Sequence, residues 1–255
     1  MCRQNRFIIS FGGDLLALFV IADLHLSFSC DKPMDIFSGW DNYVERIEKN
    51  WRKLVGDNDT VVIPGDISWA MSLENAKKDF EFLHSLPGKK IIMKGNHDYW
   101  WTTMKKMEDF LSSNGFTSIS ILHNNCYRYE NTGICGTRGW INEKGEQADK
   151  KVLMREAQRL TVSIEQSVKQ GLTPMVFLHY PPIFANDRNE EILAVLDKYD
   201  VKQCFYGHIH GKGGLYSVNG EYNGRFYKLI ASDFLQFVPL CISEFVQYDN
   251  SGNEV

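Results

Sequence analysis

Along the chain, short apolar runs that end in small and polar residues alternate with longer stretches whose apolar positions recur every three to four residues. Residues 16–22, 60–64, 90–94, 133–135, 175–178 and 202–206 have the length and β-branched content of strands. Residues 40–55, 72–86, 102–114, 146–170 and 189–198 carry helical periodicity, and Met104 and Met107 fall on the apolar face of the third of these helices. Ser38 and Ser72 stand where N-caps are expected, and Gly56, Gly115 and Gly171 stand where helices stop. Such alternation predicts crossover connections and a sheet covered by helices. The last part differs: residues 215–218, 225–231 and 240–248 are strand-like, with turn signals at Asn219-Gly220 and Asn223-Gly224, which predicts antiparallel pairing. With no linker, charge block or internal repeat, residues 16–255 read as one α/β domain of two packed sheets flanked by helices.

Composition narrows this picture. With 44% hydrophobic and 13% aromatic residues, the 255-residue chain has the apolar surface to build a core without disulfides, which excludes disorder. Its 28 Lys+Arg against 32 Asp+Glu give a net charge of −4, and this argues against a broad nucleic-acid groove. The six cysteines form no Cys-x-x-Cys pair, so neither a thiolate zinc site nor a redox dithiol is indicated, and a cytoplasmic protein with reduced thiols is expected.

Residues 7–22 resemble a signal peptide at first sight, but Gly12-Gly13-Asp14 breaks the apolar run and leaves a stretch of strand length. No membrane span is expected there. Residues 1–15 are expected to be an extension ahead of the domain, with the native start near Leu15 or Leu16. Codons GGA-GGT-GAT for Gly12-Gly13-Asp14 would read as a ribosome-binding site before a TTG start. Cleavage after Ala22 would remove the strand that carries Asp23.

The polar clusters at the strand ends hold the chemistry, since loops after strands build the ligand sites of layered α/β folds. Asp23 and His25 follow the first strand, Gly65-Asp66 the second and Gly95-Asn96-His97-Asp98 the third; His179 and Gly207-His208-Ile209-His210 follow later ones. Chance would place a Gly-Asn-His-Asp in a chain of this composition about 0.002 times and a Gly-His-x-His about 0.015 times. Imidazole nitrogen with carboxylate and carboxamide oxygen suits borderline divalent metals such as Mn, Fe or Zn. Seven such ligands exceed what one ion uses, which points to two metals and to phosphoryl transfer.

In these motifs, in this order, the chain resembles the calcineurin-like metallophosphoesterases, and around Tyr99-Trp100-Trp101, residues 136–140 and residues 179–182 it is similar to a branch of uncharacterised bacterial phosphohydrolases. The resemblance implies a four-layer αββα sandwich of two mixed sheets. It implies that Asp23, His25 and His210 hold one metal, that Asn96, His179 and His208 hold the other, and that Asp66 bridges them. His97 would be the catalytic histidine that contacts the phosphate and protonates the leaving group. A hydroxide between the metals would attack phosphorus in line. Asp98 is expected to accept a hydrogen bond from the other nitrogen of His97 and raise its pKa.

Gly65, Gly95 and Gly207 are expected to serve tight turns rather than to bind, and His84 and His123 to have surface or capping roles. Arg138 is a candidate to fork onto a substrate phosphate, with a surface ion pair as the alternative. Trp100, Trp101 and Trp140 are candidates for the pocket wall, with core packing the alternative for at least one; Trp100 is taken as a substrate contact. Residues 143–151 read as a solvated loop. The expected partner is a small phosphate mono- or diester, neither nucleic acid nor membrane, and the sequence leaves the oligomeric state open. Two rivals are a DNA-processing nuclease of the same superfamily, disfavoured by the charge, and a non-catalytic scaffold, disfavoured because no ligand is missing.

Overall fold

The computed structural model describes residues 16–140 and 150–243. The expected extension at residues 1–15, most of the loop at 143–151, the start of the helix at 146–170 and the end of the strand at 240–248 lie outside them.

In chain order the elements begin with β1 (Leu18–Val20), α1 (Tyr43–Leu54), β2 (Thr60–Ile63), α2 (Leu73–Ser85), β3 (Lys89–Ile92), α3 (Met104–Ser113) and β4 (Ile119–Ile121). The second half has β5 (Tyr127–Tyr129), β6 (Thr132–Thr137), α4 (Lys150–Lys169), β7 (Thr173–Leu178), a small hairpin of β8 (Ile183–Phe184) and β9 (Asp187–Arg188), and α5 (Glu190–Lys198). The chain then runs through β10 (Gln203–Tyr206), β11 (Gly220–Tyr222), β12 (Arg225–Leu229) and β13 (Leu240–Cys241). One sheet has the order β13-β1-β2-β3-β4 and the other β11-β12-β10-β7-β6-β5. All neighbours are parallel except at the edges, where β13, β11 and β5 run antiparallel. This is a mixed α/β fold with two large sheets, as expected.

Strand alternation builds the layers, because successive side chains point to opposite faces. On β1, Leu18 and Val20 enter the layer between the sheets with Val62, Ile91, Met175, Phe177 and Phe205. Phe19 and Ile21 face the other way, onto Ile47 and Trp51 of α1 and Phe80 and Leu83 of α2. Val176 and Leu178 of β7 likewise pack under Leu160 and Ile164 of α4 and Leu193 and Leu196 of α5. The sheets meet where β1 ends: Ala22 N–H donates to the Ile230 carbonyl (2.8 Å) and Ser232 N–H to that of Ala22 (3.0 Å).

Several expectations are corrected. Residues 215–218 do not pair as a strand; the glycines at 211, 213 and 214 let the chain coil as a 3-10 helix at Gly211–Tyr216. The expected antiparallel pairing is found between β11 and β12, joined at Asn223-Gly224, and between β13 and β1, but on its other side β12 is parallel to β10. Asn42, in a left-handed conformation with φ 50°, stands at the N-terminal boundary of α1 in place of Ser38 and makes no side-chain cap bond, whereas Ser72 Oγ does accept from Asn75 N–H. β4, β5 and β11 went unforeseen because strands of 3 residues carry little periodicity.

Phe177 and Phe205 stack between the sheets with ring centroids 5.4 Å apart. Phe177→Ala is expected to destabilise the protein by about 3–5 kcal/mol in urea denaturation, through lost burial and a residual cavity.

Candidate metal centre

Five loops at the C-terminal strand ends converge on one spot. Asp23 and His25 arrive from β1, Asp66 from β2, Asn96 and His97 from β3, His179 from β7, and His208 and His210 from β10. Asp23, His25, Asp66 and His208 have positive φ values of 59°, 48°, 51° and 72°, a region that non-glycine residues rarely occupy. Gly65, at φ 94°, and Gly207 allow the close approach: a Cβ on Gly65 would lie 2.7 Å from His179 Nδ1, and one on Gly207 2.6 Å from Asp23 Oδ2.

The ligand candidates fall into two groups, Asp23 with His25 and His210, and Asp66 with His179 and His208. Asn96 joins the second, its Oδ1 lying 2.6 Å from His179 Nε2 and 3.0 Å from His208 Nδ1. Asp66 reaches both groups, with Oδ2 3.7 Å from His25 Nε2 and Oδ1 3.6 Å from His179 Nε2. All seven residues named from the sequence are therefore gathered here.

Their electrostatics suit a bound cation. Asp23 is fully buried, its Oδ1 has no hydrogen-bond partner, and burial pushes its pKa well above the ordinary value. Burial also holds His25, His179 and His208 down to about 3, so these imidazoles are neutral ligands in waiting. His25 Nε2 and His210 Nε2 lie 3.3 Å apart, two lone-pair-bearing nitrogens converging on one point. His179 Nδ1 lies 3.1 Å from the Pro64 carbonyl, a contact that places the proton on Nδ1 and frees Nε2. A buried carboxylate oxygen without a hydrogen-bond partner, set among neutral nitrogens and a carboxamide oxygen, fits divalent ions of borderline character.

Asp98 has a different role from the one expected. Its Oδ1 accepts from Ile67 N–H (2.9 Å), Ser68 N–H (3.2 Å) and Trp100 Nε1–H (3.0 Å), and its Oδ2 from Asp66 N–H (2.9 Å) and Gly95 N–H (2.7 Å). With five donors engaged, the carboxylate ties the β2 and β3 loops together and makes no bond to His97. Nδ1 of His97 instead sits 3.4 Å from the Tyr99 hydroxyl, and burial lowers its pKa, outweighing the opposite pull of the Asp66 carboxylate. Trp100 is corrected as well: only 2% exposed and edge-on to Phe80, it belongs to the core under α2 and α3.

Arg138 lies over the Trp140 ring at 5.0 Å, and its carbonyl accepts from Tyr180 N–H, beside His179. Trp101 packs against the helix-side core, His84 Nδ1 lies 2.8 Å from Ser118 Oγ, and His123 faces Trp101.

Two contributors escaped the sequence. Trp69 stacks on His25 with centroids 5.0 Å apart and lies 4.2 Å from the His97 ring. Asp233 Oδ1 is 2.8 Å from His210 Nδ1, while its Oδ2 accepts from Gly211 N–H. Burial alone would lower the His210 pKa, but the Asp233 bond together with the charges of Asp23, Asp233 and Asp66 outweighs it and leaves it raised. Neither residue lies in a histidine-bearing motif; the sole signal is Asp233 standing just past a strand end in the C-terminal half.

A family model described as calcineurin-like phosphoesterase matches residues 16–212. An uncharacterised protein of Methanocaldococcus jannaschii is 30% identical over 112 residues, 42% of this chain and 58% of that protein, so the match spans little more than half of that relative. Among solved structures, a protein of unknown function from Aquifex aeolicus superposes with a TM-score of 0.51 at 15% identity, covering 92% of this chain and 100% of that one. A protein from Thermus thermophilus does so with a TM-score of 0.51 at 11% identity, covering 84% of this chain and 88% of that one. At such identities the likeness shows the fold alone.

Asp98→Asn turns part of an acceptor into a donor and strands at least two buried N–H groups, so it is expected to lower unfolding stability by about 2–6 kcal/mol. Asp233→Asn is expected to weaken metal affinity about 10–100-fold, read by chelator competition, with little change in thermal stability of the metal-free protein.

Proposed function

Because the chain belongs to the calcineurin-like phosphoesterase family, we propose that it is a metal-dependent phosphohydrolase that cleaves a small phosphate monoester or diester with two Mn, Fe or Zn ions. The observation that carries this reading is Asp66, whose two oxygens face two separate nitrogen-rich groups 3.7 and 3.6 Å away. Asp23, His25 and His210 would hold one ion, Asn96, His179 and His208 the other, and Asp66 both. Such ions, when bound, supply Lewis acidity toward phosphoryl oxygens and lower the pKa of water.

The protein's own part is orientation and proton delivery. Ligand loops fixed by Asp98 and by the positive-φ residues hold the donor atoms at set positions before substrate arrives, so little reorganisation accompanies the reaction. His97 is half-buried at the rim, between the His25 ring at 5.7 Å and the Trp69 ring, and its backbone N–H is anchored to Asp66 Oδ1 at 2.8 Å. It therefore faces the substrate with no ligand duty of its own, and gives a proton to the leaving oxygen as the phosphorus–oxygen bond breaks. Arg138, beside His179, would bind a phosphate oxygen of the substrate outside the metal ligands. The Tyr99 hydroxyl steadies the far side of the His97 ring.

Hydrolysis of p-nitrophenyl phosphate and bis-p-nitrophenyl phosphate is expected to vanish on chelation and return with added Mn, Fe or Zn, while single-stranded DNA is left intact. His97→Asn is expected to cut turnover about 10²–10⁴-fold with metal content retained. Unchanged turnover in that variant, or metal-independent hydrolysis by the wild type, would overturn the assignment.

A further inference from the structure

Where β3 and β6 end, the two sheets present basic side chains to each other. Lys94 follows β3 and stands two residues before Asn96; Arg138 follows β6 and is bonded through its carbonyl to Tyr180. The strands run close at this point, for Met93 Sδ lies 2.8 Å from where a Cβ on Gly136 would sit. From the outer layer α4 adds Arg155, Glu156 and Arg159. Glu156 is fully buried, accepting from Thr137 Oγ1 (2.6 Å) and Arg159 Nη1 (3.2 Å), with Arg155 Nε 3.8 Å away.

The charges here do not balance among the described residues. Glu156 is held by Arg155 and Arg159, with Lys94 close by; Asp98, which also acts on Lys94, is occupied by its five N–H donors. Neither Lys94 nor Arg138 has an ion-pair partner among the described residues, and Arg138 Nε is buried without a hydrogen bond. A guanidinium lying over a ring, as Arg138 lies over Trp140, keeps its N–H edge for a forked oxyanion.

We propose that Lys94, Arg138 and Arg159 form an anion subsite beside the metal centre that takes a second phosphoryl group of the substrate, so that the preferred substrates are diphosphates or bisphosphates rather than simple monoesters. The proposal rests on the metal centre being the place of phosphoester cleavage, and it adds the half of the substrate that is not cleaved there. The subsite lies on the β6 and α4 side of the Asn96 loop, away from His97 and Trp69, and so anchors the substrate independently of the leaving-group histidine.

The test is calorimetric titration of the manganese-loaded protein with inorganic phosphate and with pyrophosphate, with metal content assayed afterwards. Pyrophosphate is expected to bind at least about tenfold more tightly than phosphate, and Lys94→Gln and Arg159→Gln each to cut that advantage about threefold or more. Arg159→Gln removes a partner of buried Glu156; if it fails to fold, Lys94→Gln decides alone. Equal binding of the two anions by the wild type, or an advantage that survives Lys94→Gln, overturns the subsite. An advantage lost in Lys94→Gln in a protein that hydrolyses no phosphoester upholds the subsite and removes the phosphoesterase reading instead.

Discussion

The buried carboxylate of Asp98 is the interaction on which the site depends. Five N–H donors from two separate loops point at its two oxygens, among them the backbone amides of Asp66 and Gly95. Both flanking segments carry candidate ligands, so one side chain sets the spacing between the β2 and β3 contributions. Such a group is costly to bury and favourable only when every lone pair is met. Trp100 closes the arrangement from below, its indole N–H reaching Oδ1 while its ring packs on Phe80 of α2. The hydrophobic layer under the helices and the polar loops above the strands are thereby joined through two consecutive pairs of contacts.

A second dependency runs between the sheets. Asp23 belongs to one sheet and His208 and His210 to the other, and the link between Ala22 and residues 230–232 brings them together. Asp23 Oδ2 accepts from His208 N–H at 2.8 Å across that seam. Burial keeps His25, His179 and His208 neutral and leaves Asp23 Oδ1 without a hydrogen-bond partner, an arrangement suited to an added cation.

Much of this was legible from the chain because ligand identity follows from residue type and position after a strand. Asp23, Asp66, His179 and the Gly-His-x-His segment each follow an apolar run, and the unbroken apolar runs at residues 18–21 and 175–178 report two-sided burial. What was not legible depends on the direction of side chains. Asp98 adjoins His97 in sequence, yet its carboxylate turns inward to the amides, and nothing in a linear pattern distinguishes that from a bond to the imidazole. Trp100 and Trp101 are equivalent as letters, but a half-turn of backbone places the first wholly in the core. Asp233 and Glu156 escaped for a related reason: each acts through a residue distant in sequence, His210 in one case and Thr137 in the other.

The left-handed backbone at Asp23, His25, Asp66 and His208 has a consequence for how such a protein changes over time. Each such residue carries about 1–3 kcal/mol of conformational strain that the rest of the fold must offset. Glycine at the same positions would release that strain. Drift toward stability therefore leads away from activity at the very residues that bind, and the stretched loops persist only under selection for what they hold. A descendant freed from that selection would be expected to lose its ligands first and to become sturdier as it did so.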